Sequence, residues 1–120
     1  MSYEFMKYEI ENNEYVFVNE YWSTSRAWGH KTRLFKNGSE IAENKVRYYN
    51  RTWERYTYQS CMLGAIDNVM SDIINHAVEN YKYEHNITRF KKGEKEKAIA
   101  DFEEHNQYYK QLAELREKVG

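Results

Sequence analysis

The sequence predicts an α+β domain of about four antiparallel strands, arranged as two hairpins, followed by a long amphipathic helix and a C-terminal helix. Up to residue 49, apolar and polar residues alternate with a period of two residues, which is typical of strands. Beyond residue 50, apolar residues recur every three or four positions, which is typical of helices that face a core. A chain of 120 residues fits one core. We therefore expect a single domain over residues 1–120, with a sheet part (1–49) and a helical part (50–120).

The first predicted hairpin runs from Tyr3 to Trp22 and turns at Asn12 and Asn13. Its strands read SYEFMKYEI and YVFVNEYW, and the polar stretch ENNE lies between them. Neither face of this hairpin is cleanly apolar, so we expect both faces to be partly covered. The next segment, STSRAWG, is small and polar and predicts an irregular loop.

The second predicted hairpin is HKTRLFKNGSEIAENKVRYYN, residues 30–50. Its centre holds Asn37 and Gly38, which readily adopt the positive backbone angles of a two-residue turn. This is the strongest local signal in the sequence, and it predicts a tight turn between two antiparallel strands.

A long helix is predicted from near Asn50 or Thr52, whose side chains can cap free amides, to about Tyr83. Gly64 costs roughly 1 kcal/mol relative to alanine inside a helix, so its presence predicts close approach to another element. The apolar stripe has the three-and-four spacing of a core-facing side. It comprises Trp53, Tyr56, Ser60, Leu63, Ile66, Met70, Ile73, Ala77 and Tyr81.

The same spacing resumes after EHNITRFKKG and predicts one C-terminal helix with acidic residues early and basic residues late, an order that suits the helix dipole. Its stripe comprises Ala98, Phe102, His105, Tyr109, Leu112, Leu115 and Val119. From both helices we predict a structural core of Trp53, Tyr56, Leu63, Ile66, Met70, Ile73, Phe102, Leu112 and Leu115.

The residue pattern does not indicate catalysis. Cys61, the only cysteine, falls inside the predicted helix without a histidine nearby in sequence, and buried thiols are usually inert. Asp72 and His76 lie one helical turn apart, but a zinc site needs about three or four ligands, so we expect a helix-surface ion pair. The segments KNGSE and KKGEKEK each hold one glycine, too few for a phosphate-binding loop. We expect no catalytic residue, no metal and no cofactor.

The charge and hydropathy of the sequence bear on the compartment and on the kinds of partner that we expect. The net charge of -1 argues against a strongly basic, dedicated nucleic-acid binder. No apolar run approaches the roughly 18 residues of a membrane span, and the lone cysteine fits a reducing compartment. We therefore expect a cytoplasmic protein without a membrane partner.

The basic second hairpin gives one candidate function. Residues 23–58 hold eight basic and three acidic side chains, with aromatic residues interleaved among them. Arginines and stacking rings are typical of surfaces that bind single-stranded nucleic acid. Acidic strands and helices elsewhere can balance these charges internally, so nucleic acid is the alternative and not the first choice.

The segment EYWSTSRAWGHK gives another candidate, a protein interface. Tryptophan and arginine dominate the energetics of many interfaces. The predicted partner-binding residues are Trp22, Arg26, Trp28, His30, Lys31 and Arg33. The competing interpretation, that both tryptophans fold back over one sheet face, stays open. Self-association through a hairpin edge or the C-terminal helix also stays open.

The segment RLFKNGSEIAENKVRYYNRTWERYTYQSCMLGAI, residues 33–66, resembles a recurrent pattern in small proteins of bacteriophages and mobile elements. In that pattern a hairpin with Asn-Gly precedes YYNRTWE-x-Y-x-(Y/F)-Q-(S/T). By its length and order of parts the chain is also similar to phage-encoded anti-defence proteins that inhibit a defence-associated sirtuin.

This resemblance implies a non-enzymatic inhibitor acting in the host bacterial cytoplasm. Its partner would be a host defence protein, a sirtuin-domain NADase, and its binding would prevent NAD depletion and abortive infection. The resemblance covers a little over a quarter of the chain and assigns no functional residues.

Overall fold

The computed structural model describes residues 2–49 and 58–120, in which four strands precede three helices. The sheet is antiparallel with strand order β1-β2-β3-β4, and the predicted α+β fold is confirmed. The elements are β1 Ser2–Ile10, β2 Asn13–Ser23, β3 Ala27–Lys36, β4 Ser39–Tyr49, α1 Tyr58–Glu84, α2 Glu94–His105 and α3 Gln107–Val119.

The two hairpin turns lie next to each other at one end of the sheet. Asn37 and Gly38 have φ angles of 50° and 87°, which confirms the predicted tight turn. The first turn was predicted one residue too late, because the residues with positive φ are Glu11 and Asn12. Asn37 joins the turns, since its Nδ2 donates to Asn13 Oδ1 at 2.9 Å.

The irregular loop predicted for STSRAWG is wrong. β2 continues through Ser23 and β3 begins at Ala27, so only residues 24–26 connect them. Thr24 closes this connection, because its Oγ1 accepts a hydrogen bond from the Ala27 amide at 3.1 Å. Small residues are tolerated here as strand residues because they pair with neighbouring strands, as Gly29 does with Trp22 and Arg47.

Helices α1 and α3 cover one face of the sheet and bury a single core. Its largest fully buried apolar side chains are Tyr15, Phe17, Leu34, Ile66, Leu112 and Leu115. Asn19 and Thr32 are also fully buried, and the Thr32 hydroxyl donates to Asn19 Oδ1 at 2.6 Å. Pairing two polar groups with each other lowers the cost of taking them out of water.

The predicted core of α1 is partly confirmed. Ile66 is fully buried, whereas Leu63, Met70 and Ile73 are only partly buried against the core. The predicted helix start near Asn50 or Thr52 and the predicted core residues Trp53 and Tyr56 lie outside the described residues. The stripe was misplaced because the sheet contacts the side of α1 that carries Cys61, Met62, Ala65, Ile66 and Val69.

Gly64 shows why α1 presents that side. A Cβ atom at Gly64 would overlap the side-chain amide of Asn44 on β4 and lie 3.0 Å from its Cγ. The same Asn44 amide donates to the Cys61 carbonyl at 3.1 Å. The predicted close approach at Gly64 is therefore confirmed.

The single C-terminal helix was a wrong prediction, because Asn106 divides it into α2 and α3. Asn106 has an extended backbone (φ -90°, ψ 113°) that interrupts the helix. Its amide donates to the Phe102 carbonyl at 2.9 Å, and its Oδ1 accepts from the Tyr109 amide at 2.8 Å. One residue thus ends α2 and caps α3. Leu112 and Leu115 are buried as predicted, whereas Phe102 is only half-buried.

Candidate protein-interaction surface

The face of the sheet opposite α1 and α3 is here called the open face. Strand alternation and register place a set of aromatic, branched and charged side chains on it. Within the described part of the chain, the helices pack on the other face. The open face comprises Tyr3, Phe5, Lys7, Glu9, Glu14, Val16, Val18, Glu20, Trp22, Lys31, Arg33, Phe35, Glu40, Glu43, Lys45 and Arg47.

An apolar strip crosses the centre of the open face. Phe5 on β1 pairs with Val18 on β2, and Val16 on β2 pairs with Phe35 on β3. Phe5 is 69% exposed, while Val16, Val18 and Phe35 are half-buried. Tyr3, 55% exposed, extends the strip on β1. Large apolar side chains gathered on an exposed sheet face are typical of a surface that another molecule covers.

Ion pairs flank this strip on both sides. On the β1 side, Lys7 Nζ lies 3.0 Å from Glu14 Oε2. On the β3–β4 side, the Arg33 guanidinium makes two contacts with the Glu40 carboxylate, at 2.9 and 3.1 Å. The hydrogen bond from Arg33 lowers the pKa of the Glu40 carboxyl. Because these pairs are exposed, each contributes little to stability.

Trp22 forms the end of the open face nearest the β2–β3 connection. Its ring lies over Gly29 of β3, where a Cβ atom would fall 2.7 Å from the ring carbon Cζ2. The Lys45 ammonium sits 4.9 Å from the centroid of the indole. The indole Nε1 is buried and has no hydrogen-bond partner within the described residues. Trp22 is therefore a flat, half-buried ring held between a glycine and a cation.

The structure divides the six predicted partner-binding residues. Trp22, Lys31 and Arg33 share the open face, whereas Trp28 and His30 point to the helix-covered face. Arg26 is exposed in the short connection between β2 and β3. The division follows from strand geometry. Trp22 pairs with Gly29, so these two residues lie on the same face. Trp28 precedes Gly29 in β3, and successive residues of a strand point to opposite faces, so Trp28 lies on the other face.

Trp28 and His30 belong to an aromatic cluster at the end of the covered face. The Trp28 and Tyr48 rings are 4.5 Å apart, and the His30 and Tyr58 rings are 4.8 Å apart. His30 is 8% exposed, and burial lowers the pKa of its imidazole. A neutral, enclosed imidazole packs like another ring, so His30 contributes to the covered face and not to the open one.

Sequence reasoning missed the residues that make the open face apolar, namely Tyr3, Phe5, Val16, Val18 and Phe35. Alternation in SYEFMKYEI did place Tyr3 and Phe5 on one face with Lys7 and Glu9. The Asn37–Gly38 turn could not reveal the strip, because it sets the register of β3 with β4, whereas Val16 and Phe35 pair between β2 and β3. On each strand, charged residues lie close to the apolar ones. The apolar strip is therefore recognisable only when the strands are paired.

The potentially reactive or metal-binding side chains in the described part of the chain are Cys61 and a group of exposed acidic and histidine residues. Cys61 is fully buried, and burial raises the pKa of its thiol, which disfavours the nucleophilic thiolate. Asp101, Glu104 and His105 lie within 4.8 Å of one another but are all exposed. The ion pair predicted between Asp72 and His76 is wrong, because among the described residues the histidine–carboxylate pair one helical turn apart is Asp101–His105.

The chain was compared with protein-family models, curated proteins and solved structures, and none of them matches. Among the described helices, none combines the length and apolar character needed to cross a membrane.

Proposed function

We propose that this chain is a non-enzymatic binding protein that docks a partner protein through the open face of its sheet. The observation that carries this proposal is the apolar strip of the open face, in which Tyr3 and Phe5 are exposed and Val16, Val18 and Phe35 are half-buried. Protein interfaces combine an apolar, aromatic centre with a polar rim, and the ion pairs around this strip supply such a rim.

The charge of the open face favours protein over nucleic acid as the partner. Five basic side chains are matched there by five acidic ones, several of them in direct contact. Nucleic-acid surfaces draw most of their affinity from an excess of positive charge that neutralises phosphates. A balanced face instead pairs with a partner that presents complementary apolar and charged groups.

The size of the open face also suits a protein. Four strands spaced about 4.8 Å apart, with about ten residues rising about 3.4 Å each, cover roughly 600 Å². A standard interface buries about 800 Å² on each partner. Residues next to the open face can extend it, namely Arg26 in the β2–β3 connection and the outer edge of β1.

The partner we propose is a bacterial defence-associated sirtuin. This choice rests on the resemblance of residues 33–66 to small phage and mobile-element proteins, since the open face alone identifies no particular protein. Binding would keep the sirtuin's NAD hydrolase inactive by covering or distorting the surface that senses a phage component. The consequence would be preserved NAD and no abortive infection in the host cytoplasm.

A binding measurement tests the proposal. Purified sirtuin is mixed with the wild-type chain, with Phe5→Glu, or with the matched control Tyr83→Glu. Tyr83 is 88% exposed on α1, so both variants place a carboxylate on an exposed aromatic position. The wild type and Tyr83→Glu should co-elute with the sirtuin, whereas Phe5→Glu should not.

Each other outcome has a distinct meaning. Co-elution of Phe5→Glu would reject the open face as the docking surface. Failure of the wild type to bind would reject the sirtuin as partner. If the purified chain instead carries nucleic acid, seen in its ultraviolet absorbance, the alternative of a nucleic-acid-binding phage regulator takes precedence.

A further inference from the structure

A trough runs between α1 and α2, away from the open face. Two cavities of about 390 and 440 Å³ form it, and both are lined by Ala77, Asn80 and Phe102. Because the cavities share these residues, they adjoin each other along α1. α2 contributes no fully buried side chain, so this helix leaves its apolar side only partly covered.

The floor of the trough is apolar on both sides. It includes Ile73, Ala77 and Tyr81 from α1, and Ala98, Ile99 and Phe102 from α2, all half-buried. All of these except Ile99 lie on the stripes whose spacing predicts a core. They have the composition of a core but remain partly accessible.

The ionisable side chains around the floor have a one-sided charge. Asp72, Glu84 and Asp101 are acidic residues, and His76 and His105 complete the set. Among the described residues lining the two cavities there is no lysine or arginine. The trough therefore combines an apolar floor with an acidic rim.

We propose that this trough binds a basic amphipathic helix of a partner protein. The part of α1 that lines it, from Val69 to Glu84, spans about 22 Å at 1.5 Å per residue, which matches roughly four turns of a docked helix. Apolar residues of the ligand helix would lie on Ala77 and Phe102. Its lysines or arginines would face Asp72, Glu84 and Asp101, which is the helix-in-groove mode of recognition. This site does not depend on the open face or on the sirtuin.

Synthetic peptides test the proposal with the intact chain. The probe is an amidated peptide of about 18 residues, made of leucine and lysine with the leucines at helical spacing. The control peptide keeps the leucines and replaces every lysine by glutamate. The leucine–lysine peptide should shift the amide resonances of Ala77, Ala98 and Phe102, and the leucine–glutamate peptide should not.

Two double charge-reversal variants then distinguish contacts with the acidic rim from a nonspecific effect of net charge. Glu84→Lys with Asp101→Lys should weaken peptide binding on the order of tenfold, because two rim attractions become repulsions. Glu114→Lys with Glu117→Lys makes the same change of net charge on exposed positions of α3 and should leave the affinity unchanged. All four side chains are exposed, and unchanged circular dichroism would confirm that both proteins fold.

Three results would overturn the proposal. They are equal weakening by the two pairs, resonance shifts confined to residues outside the trough, and equally tight binding of the glutamate peptide. A further check examines the chain alone over a range of protein concentrations, with dimer formation measured by sedimentation and the trough monitored by its amide resonances. If the trough resonances change with protein concentration as dimers form, a second copy of this chain occupies it and the basic-helix proposal fails.

Discussion

Replacing Gly64 with alanine should destabilise this protein, although the same change stabilises most helices. Gly64 lies in α1 directly beneath β4, and an added Cβ would overlap the side-chain amide of Asn44. That amide holds the Cys61 carbonyl at 3.1 Å, so it cannot move without losing a hydrogen bond between helix and sheet.

The magnitude follows from three contributions. Alanine gains about 1 kcal/mol over glycine in helix propensity. Loss of the Asn44–Cys61 hydrogen bond costs about 1 kcal/mol. Overpacking at a close contact costs roughly 1 to 3 kcal/mol. The free energy of unfolding should therefore fall by about 1 to 3 kcal/mol, since the two costs exceed the gain.

Urea and thermal unfolding of the wild type and Gly64→Ala measure this change. At roughly 3 to 6 °C per kcal/mol for a domain of this size, the Tm should drop clearly. Asn44→Ala provides the matched background, because it removes the obstructing amide. There Gly64→Ala should stabilise the protein by up to about 1 kcal/mol, and a change of sign between the backgrounds would show direct coupling. A higher Tm for Gly64→Ala alone would refute the reasoning.

Three further predictions concern the core. Leu112→Ala should lower the free energy of unfolding by about 2 to 5 kcal/mol in urea titrations, and a loss below about 1 kcal/mol would mean that Leu112 is not enclosed. The Cys61 thiol should resist a thiol reagent in the native protein and react once urea unfolds it, because burial raises its pKa; rapid native labelling would contradict this. Burial, with smaller contributions from Tyr108 and Glu11, raises the pKa of Tyr15 to about 12. The unfolded chain therefore loses this proton first, and stability should fall between pH 10 and 12. Tyr15→Phe should show a shallower fall over that range, and an identical slope would exclude Tyr15 as its source.

The sheet was largely predictable because its signals are local. Asn37 and Gly38 require positive φ angles, and two-residue alternation continues on both sides of them. The extension of β3 back to Ala27 was not predictable in the same way. It depends on pairing with β4, a contact between residues distant in sequence, and this pairing overrides the loop character of small residues.

The helical part was predictable in type but not in detail. Apolar residues lie on more than one side of α1, so spacing alone could not identify which side meets the sheet. The break at Asn106 was hidden because Phe102, His105 and Tyr109 keep helical spacing across it. The cap made by the Asn106 side chain is a local signal that, given more weight, would have predicted two helices.

The candidate site was the least predictable part. A surface built across strands depends on their register, which places Phe5 beside Val18 and Val16 beside Phe35. Choosing tryptophans and arginines by composition selected Trp22 and Arg33, which share the open face, but also Trp28, which strand parity places on the covered face. Composition identifies residue types suited to binding, whereas only the paired sheet decides which of them share a surface.

The central claim is tested most directly by an NAD-depletion assay with purified sirtuin and its phage activator. The wild-type chain and Tyr83→Glu should preserve NAD, whereas Phe5→Glu should allow it to be consumed, because only the last variant places a charge in the apolar strip. Consumption of NAD in the presence of the wild-type chain, or equal protection by Phe5→Glu, would contradict the account.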